Sequence, residues 1–365
     1  MIRIKPNCLG ACTPHYQGGC VCARCGAFCA FYPGDDPLVF SEMPTTWELR
    51  TDQQGSRREA VEIGLVRRVF ARSDSQGKPY VTGLLVNTED STQVLRIMRR
   101  HSNPEHPWTM ATQTALQRFL PNSNHWHNNP IAWMKERLGL NLCSPWVPIT
   151  GVTTWHSEEK NLALVAVRVP FLKELRPLVG DTWQGRAIKP KFLLQAAEGL
   201  IRSLLVADAA QVATPDIKPD NIAVHQGAIV VADIDSLLPY GTYKSGEVTL
   251  STAAPEALPE NLLPEEMDVR EKWQSEPLSL ATGVFSTGIT LLRLSGVHRF
   301  PHAAQRLAAK EEALPEVMDA ACYNAHPVLA EFLLKAIQLE PGARPGAAFL
   351  HSTLRHIEYA QTKEG

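Results

Sequence analysis

Thr214-Pro215-Asp216-Ile217-Lys218-Pro219-Asp220-Asn221 decides how this chain is read. A carboxylate, an ammonium two positions on and a carboxamide five positions on stand within one short loop. An Asp can accept a hydroxyl proton, a Lys can hold an anionic oxygen, and an Asn can offer its amide oxygen to a metal ion. A polar loop with prolines is also what a plain surface turn looks like, so its surroundings matter. Seventeen residues after Asp216 comes Asp233, closing the apolar run Ala228-Ile229-Val230-Val231-Ala232. That run follows the turn His225-Gln226-Gly227 and predicts a buried strand. Upstream, Phe192, Leu193, Ala196, Ala197, Leu200, Ile201 and Leu204 recur at helical spacing, so an apolar helix over 192–205 leads into the loop.

The octapeptide resembles the catalytic loop H-R-D-L-K-P-x-N of eukaryotic-type Ser/Thr protein kinases. Three more matches follow in the family's order. Asp233-Ile234-Asp235 resembles D-F-G, with Ile for Phe and Asp235 for Gly. Ala254-Pro255-Glu256 matches A-P-E, and Leu339-Glu340-Pro341-Gly342-Ala343-Arg344-Pro345 resembles L-D-P-x-x-R-P, whose Arg pairs with that Glu in a buried ion pair. The resemblance covers residues 60–358 and implies an α+β, two-lobed protein-kinase-like fold. A β-rich small lobe would span 60–169 and an α-helical large lobe 170–360, after a Cys-rich segment at 1–34 and a linker at 35–59. It further implies transfer of the γ-phosphoryl group of Mg-ATP to Ser/Thr hydroxyls of a protein substrate. By resemblance, Asp216 positions or deprotonates the hydroxyl and Lys218 steadies the γ-phosphate. Asn221 and Asp233 hold Mg²⁺. Lys218, two residues after the Asp, points to the Ser/Thr-directed subclass.

The small lobe departs further from the pattern. Strands are predicted over 61–66 with 69–71, 80–86, 93–98, 146–154 and 162–169. Where the family has G-x-G-x-x-G between the first two, only Gly77 stands. Gln93-Val94-Leu95-Arg96-Ile97-Met98 fits V-A-I-K-x-L with Arg96 in the Lys position, a swap that changes the reach and shape of the cation. Residues 101–129, with four His among Pro and Asn, read as an insertion loop. Pro130–Leu140 predicts a short amphipathic helix with Ile131, Met134 and Leu138 on one face, where Glu136 would face Arg96. Ser286-x-Gly288 matches the end of D-x-W-S-x-G, but Gly283 replaces the Asp that braces the H-R-D backbone, and Thr214 and Pro215 replace the His and Arg. That Arg normally binds a phosphorylated activation loop. Pro215 therefore implies activity independent of phosphorylation at Thr242, Tyr243, Thr249, Ser251 or Thr252.

The chain has 365 residues, 44% apolar content and a net charge of −2, long enough for two lobes and an appendage. Such a charge balance gives no reason to expect nucleic acid or an acidic membrane as partner. No apolar run reaches the length of a membrane span; Ser279–Leu294, broken by Thr282, Ser286, Thr287 and Arg293, predicts a buried core helix. The N-terminus lacks an apolar signal-peptide core, so a cytoplasmic, reducing setting is expected, with delivery into another cell left open.

Six of the eight cysteines are Cys8, Cys12, Cys20, Cys22, Cys25 and Cys29. In a reducing compartment this density points to metal thiolates. Cys22-x2-Cys25 has zinc-knuckle spacing, and Cys8-x3-Cys12 can supply a second pair. Structural Zn²⁺ is the expected ion. Six thiolates exceed the four of one tetrahedral site, so a two-metal or iron–sulfur cluster stays open. Cys143 and Cys322 read as inert core thiols. Three other functions compete: a pseudokinase scaffold, a small-molecule kinase of the aminoglycoside or choline type, and a metal or redox sensor. The second normally lacks A-P-E and the distal Arg.

Overall fold

Alternation of apolar and polar residues builds the first half of the protein. The computed structural model describes residues 20–21, 28–29, 44–73, 79–99, 107–120, 146, 149–157, 162–170, 176–179, 185–225, 227–232, 234, 236–243, 248–297, 300–311 and 314–364. Strands β1 (Cys20–Val21) and β2 (Phe28–Cys29) form a short antiparallel ladder with Cys20 opposite Cys29. A closed barrel follows, made of β3 (Thr46–Arg50), β4 (Arg58–Ser73), β5 (Pro79–Thr88), β6 (Gln93–Arg99), β7 (Gly151–Ser157) and β8 (Leu162–Pro170), in the order β3-β4-β5-β6-β8-β7. Trp47, Leu49, Leu84, Val86, Leu95, Ile97, Leu164 and Ala166 fill it, taken from every second position of their strands.

Four expectations change here. Part of the expected linker is a barrel strand: β3 pairs with β4 from Thr46↔Glu62 to Arg50↔Arg58 and meets β7 at Arg50↔Val152. The first expected strand is one long element, β4, and bulges near Ile63, Val66 and Phe70 let it curve along the barrel wall. Within 101–129, expected as a loop, helix α1 runs over Pro107–Arg118. Thr112, Ala115 and Leu116 are buried at helical spacing. Gln53 Nε2 donates to the Arg118 and Leu120 carbonyls at 2.9 and 2.8 Å, satisfying acceptors at the end of α1 from the β3–β4 connection. The helix expected over 130–140 lies outside the described residues. The fourth expected strand begins at Gly151, and Trp146 lies outside it, in an isolated bridge to Val231.

The chain divides into two compact units, residues 1–129 with 148–172 and residues 130–147 with 173–365. The second unit is mostly helical. Its β9 (Arg176–Pro177), β11 (Ile222–His225) and β12 (Ala228–Val231) form a small sheet in the order β12-β11-β9. Two helices carry its core. Helix α2 (Pro190–Ala209) starts with Pro, as first-turn geometry allows, and ends just before β10 (Val212–Ala213), which pairs with β13 (Leu238–Pro239). After α3 (Met267–Ser275) comes α4 (Leu280–Leu294), in which 12 of 15 residues are buried, as a helix apolar on all sides requires. Among the described residues the further helices are α5 (Ala303–Ala308), α6 (Glu316–Ala325), α7 (Ala330–Ala336) and α8 (Ala347–Glu364). Gly288 lets α7 come close to α4, since a methyl there would stand 2.9 Å from Ala336 Cβ and Ile337 Cγ2. Among the described residues no single helix is long and apolar enough to cross a membrane. Cys322 is fully buried on α6, and burial pushes its thiol up to about 12.

Candidate active site

The loop 214–221 is strung between β10 and β11, with a 3-10 turn at Pro219–Asn221. Ile217 points inward and is buried, and Asp216 is 7% exposed. Lys218 Nζ stands 2.7 Å from Asp216 Oδ2, an ion pair formed across two residues. Asn221 Nδ2 donates to the Asp216 carbonyl at 2.9 Å, so its amide oxygen faces the other way. The Asn221 carbonyl accepts from the Ala232 amide at 2.9 Å, which ties the loop to the end of the β11–β12 hairpin, immediately before Asp233. Asp216, Lys218 and Asn221 are therefore brought together. Asp233 and Asp235 lie outside the described residues.

One stripe of α4 holds this loop. Ser286 Oγ donates to the Pro215 carbonyl at 3.2 Å, and Thr290 Oγ1 donates to the Ile217 carbonyl at 2.9 Å. One turn earlier, Gly283 leaves room for Thr214: a methyl on Gly283 would overlap the Thr214 hydroxyl and stand 2.7 Å from Leu204 Cδ2. Gly283, Ser286 and Thr290 follow each other at three- and four-residue spacing, so they share a face. The charged brace that the kinase pattern places here is replaced by a steric fit and two hydroxyl donors.

The segment 248–257 packs on the same loop. The Thr249 amide donates to Asp216 Oδ1 at 2.8 Å, and Lys218 Nζ donates to Thr249 Oγ1 at 2.8 Å. Both carboxylate oxygens of Asp216 thus accept a hydrogen bond. Thr252 is fully buried, and its hydroxyl donates to the Thr249 carbonyl at 3.3 Å. Ser251 Oγ accepts from Arg293 Nη1 at 2.9 Å, again from α4. Glu256 is held by Arg344 in a buried pair, Nη1 to Oε1 at 2.6 Å and Nη2 to Oε2 at 3.1 Å.

Arg96 belongs to the other unit. It lies half-buried on β6, between Leu85 of β5 and Val167 of β8, and its neighbours Leu95 and Ile97 point into the barrel. Glu136 lies outside the described residues. Among the described residues, α1 is the helix that stands between β6 and β7, and it carries no Asp or Glu. Cys8, Cys12, Cys22 and Cys25 also lie outside the described residues, and only the backbone ladder of Cys20 and Cys29 is described. Among the described residues no group of three or more His, Cys, Asp or Glu could hold a metal ion.

No protein-family model matches the chain, and no curated protein does. Among solved structures it is similar to vaccinia related kinase 3, with a TM-score of 0.52 and 12% identity over 87% of this chain and 92% of that one. The fold is kinase-like. At such identity the likeness is one of fold alone. The kinase domain of a Toxoplasma gondii specific rhoptry antigen superposes with a TM-score of 0.49 and 10% identity, over 89% of each chain. Within this kinase-like fold, sequence reading missed Thr249 as a partner of Asp216 and Lys218, and Thr290 as a brace. The available signal was a hydroxyl residue four positions after Ser286 in an otherwise apolar helix.

Proposed function

We propose that the protein transfers the γ-phosphoryl group of Mg-ATP to Ser or Thr hydroxyls of proteins. The observation that carries this reading is the joint placement of Asp216, Lys218 and Asn221, with Lys218 Nζ 2.7 Å from Asp216 and the Asn221 amide nitrogen on the Asp216 carbonyl. The donor set fits a hard cation, because that hydrogen bond uses the Asn221 nitrogen and no described group donates to its oxygen. Asn221 and Asp233 would hold Mg²⁺, which neutralises charge on the phosphate oxygens. Asp216, fixed by Lys218 and the Thr249 amide, keeps lone pairs to orient a substrate hydroxyl and receive its proton. Lys218 has an ammonium at the same point to steady the transferring phosphoryl group. Arg96 is the cation proposed for the α- and β-phosphates. Most of the rate enhancement would then come from positioning and charge neutralisation.

The test is incubation with Mg²⁺ and γ-labelled ATP plus a generic basic protein, with Asp216→Ala and Asp233→Ala alongside. Label on protein from the unmodified chain, lost in both variants, is expected. A folded, unmodified chain that transfers no label would overturn the reading.

A pseudokinase scaffold is the second reading. It is favoured by Arg96 in the Lys position and by the single Gly77 where the kinase pattern has G-x-G-x-x-G. ATP binding without transfer would select it. For the cysteine segment, structural Zn²⁺ remains our proposal: the Cys20–Cys29 ladder flanks Cys22 and Cys25 in the sequence, and a hairpin of this kind can present a knuckle. Metal content of the purified protein distinguishes zinc from iron, and a thiol-dependent change in activity would favour a redox sensor.

A further inference from the structure

Arg293 continues the stripe of α4 that holds the catalytic loop, three residues after Thr290. Its Nη1 donates to the neutral hydroxyl of Ser251, and among the described residues no carboxylate pairs with it. A guanidinium has five N–H donors, so most of its hydrogen-bonding capacity is left over. Helix α4, Leu280–Leu294, contains no Asp or Glu, and neither does the segment 248–255 beside it. Ile188 donates to the Leu294 carbonyl at 2.8 Å, which brings the segment 185–191 to the same end of the helix. That segment adds Lys189 and Lys191, both exposed.

Position gives this positive charge its meaning. Ser251 is two residues from Thr249, at most about 7 Å along the chain, and Thr249 is bonded directly to Asp216. The cation therefore sits within the reach of a few substrate residues from the carboxylate that would orient the hydroxyl. A helix C-terminus favours a cation anyway, but that preference does not require the side chain to reach across to the segment bonded to Asp216.

We infer that Arg293 is a specificity-determining residue that binds a carboxylate side chain of the peptide substrate, so that the protein selects Ser or Thr residues in acidic surroundings. This rests on the phosphoryl-transfer reading, and it is framed so that binding can be measured without turnover. A basic flank would be disfavoured by the same charge.

The experiment uses the full chain and three fluorescein-labelled serine peptides of equal length, with Asp/Glu, neutral or Lys flanks. Affinity is read by anisotropy at low and high salt, and initial transfer rates are measured in parallel. The unmodified protein is expected to favour the acidic peptide by about 3- to 10-fold, the scale of a half-exposed ion pair, and salt should weaken the preference. Arg293→Lys should keep its sign, and Arg293→Glu should reverse it. Ser251→Asp, which places a carboxylate on Arg293 without touching the helix, should abolish it; this keeps the test decisive if Arg293→Glu does not fold. No acidic preference, or one that survives both Arg293→Glu and Ser251→Asp, would overturn the inference. Acidic preference in binding with no label transferred from ATP would support Arg293 as the subsite while sinking the phosphoryl-transfer reading.

Discussion

Arg344 grips Glu256 with two parallel hydrogen bonds across 88 residues of chain, and both side chains are fully buried. The guanidinium is otherwise satisfied by the carbonyls of Gln338, Ala281 and Leu339, and it lies over the Phe285 ring at 4.9 Å. The pair therefore links the segment 248–257, the start of α4 and the turn at 338–344. Removing one partner of such a pair strands a buried charge, so Arg344→Ala or Glu256→Ala should each cost about 3–5 kcal/mol. Arg344→Lys should recover little, because an ammonium cannot make the fork. Urea denaturation of the three variants checks this.

Gly283 and Thr214 should behave as one fitted contact. Gly283→Ala alone is expected to cost about 1–3 kcal/mol, as overpacking does. Combining it with Thr214→Ala, which removes the overlapping hydroxyl, should recover most of that loss. Additive effects in the double variant would refute the proposed fit.

Thr290→Val keeps the shape of the side chain but leaves the Ile217 carbonyl without its donor. A loss of about 1–2 kcal/mol is expected, and Thr290→Ser should restore stability. On the phosphoryl-transfer reading, Thr290→Val should lower kcat more than it raises KM, because the loop carries Asp216 and Lys218. Ser286→Ala should be milder, since Ser286 Oγ lies within bonding distance of the Thr282 carbonyl as well as that of Pro215, at 3.3 and 3.2 Å.

On the phosphoryl-transfer reading, phosphatase treatment should leave activity unchanged. Pro215 offers no cation to a phosphate, and the segment 248–257 is anchored by Asp216, Lys218, Arg293 and Arg344 without one. Thr249 must be kept apart from the other four hydroxyl residues in such a test. Thr249→Val removes the hydroxyl bonded to Lys218 and should lower activity for a reason unrelated to phosphorylation.

Cys322 should resist alkylation. Burial, with Asp319 adding to it, holds the thiol up to about 12, so at pH 8 almost no thiolate is present and the group is shielded as well. Iodoacetamide followed by peptide mapping should leave Cys322 unmodified in the native protein and label it after denaturation. Labelling in the native protein would contradict its burial.

The large-lobe features were legible because short motifs encode them: the loop around Asp216, the Ala-Pro-Glu triplet and the distant Arg344 all stand as their spacing suggests. Helix α1 was hidden by its composition. Its Thr- and Gln-rich sequence carries one charged residue, and the flanking Pro, His and Asn read as loop. Strand β3 did carry a signal, since Trp47 and Leu49 alternate with Thr46, Glu48 and Arg50, but five residues in a Pro- and Thr-rich stretch are easily passed over. Thr249 could not be told from a phosphate acceptor, because only its position against Asp216 separates the two roles.

The closing strand of the barrel changes what counts as one piece. A chain begun at Arg58 would retain every residue that resembles a kinase, yet β4 and β7 would each lose the neighbour that covers them. Two open edges beside a core of Leu, Val and Ile are a template for intermolecular pairing. Such a fragment is expected to come out of cells as aggregate, whereas one begun ahead of Pro44 should stay monodisperse, so solubility across a ladder of N-terminal deletions would locate the true edge of the folding unit.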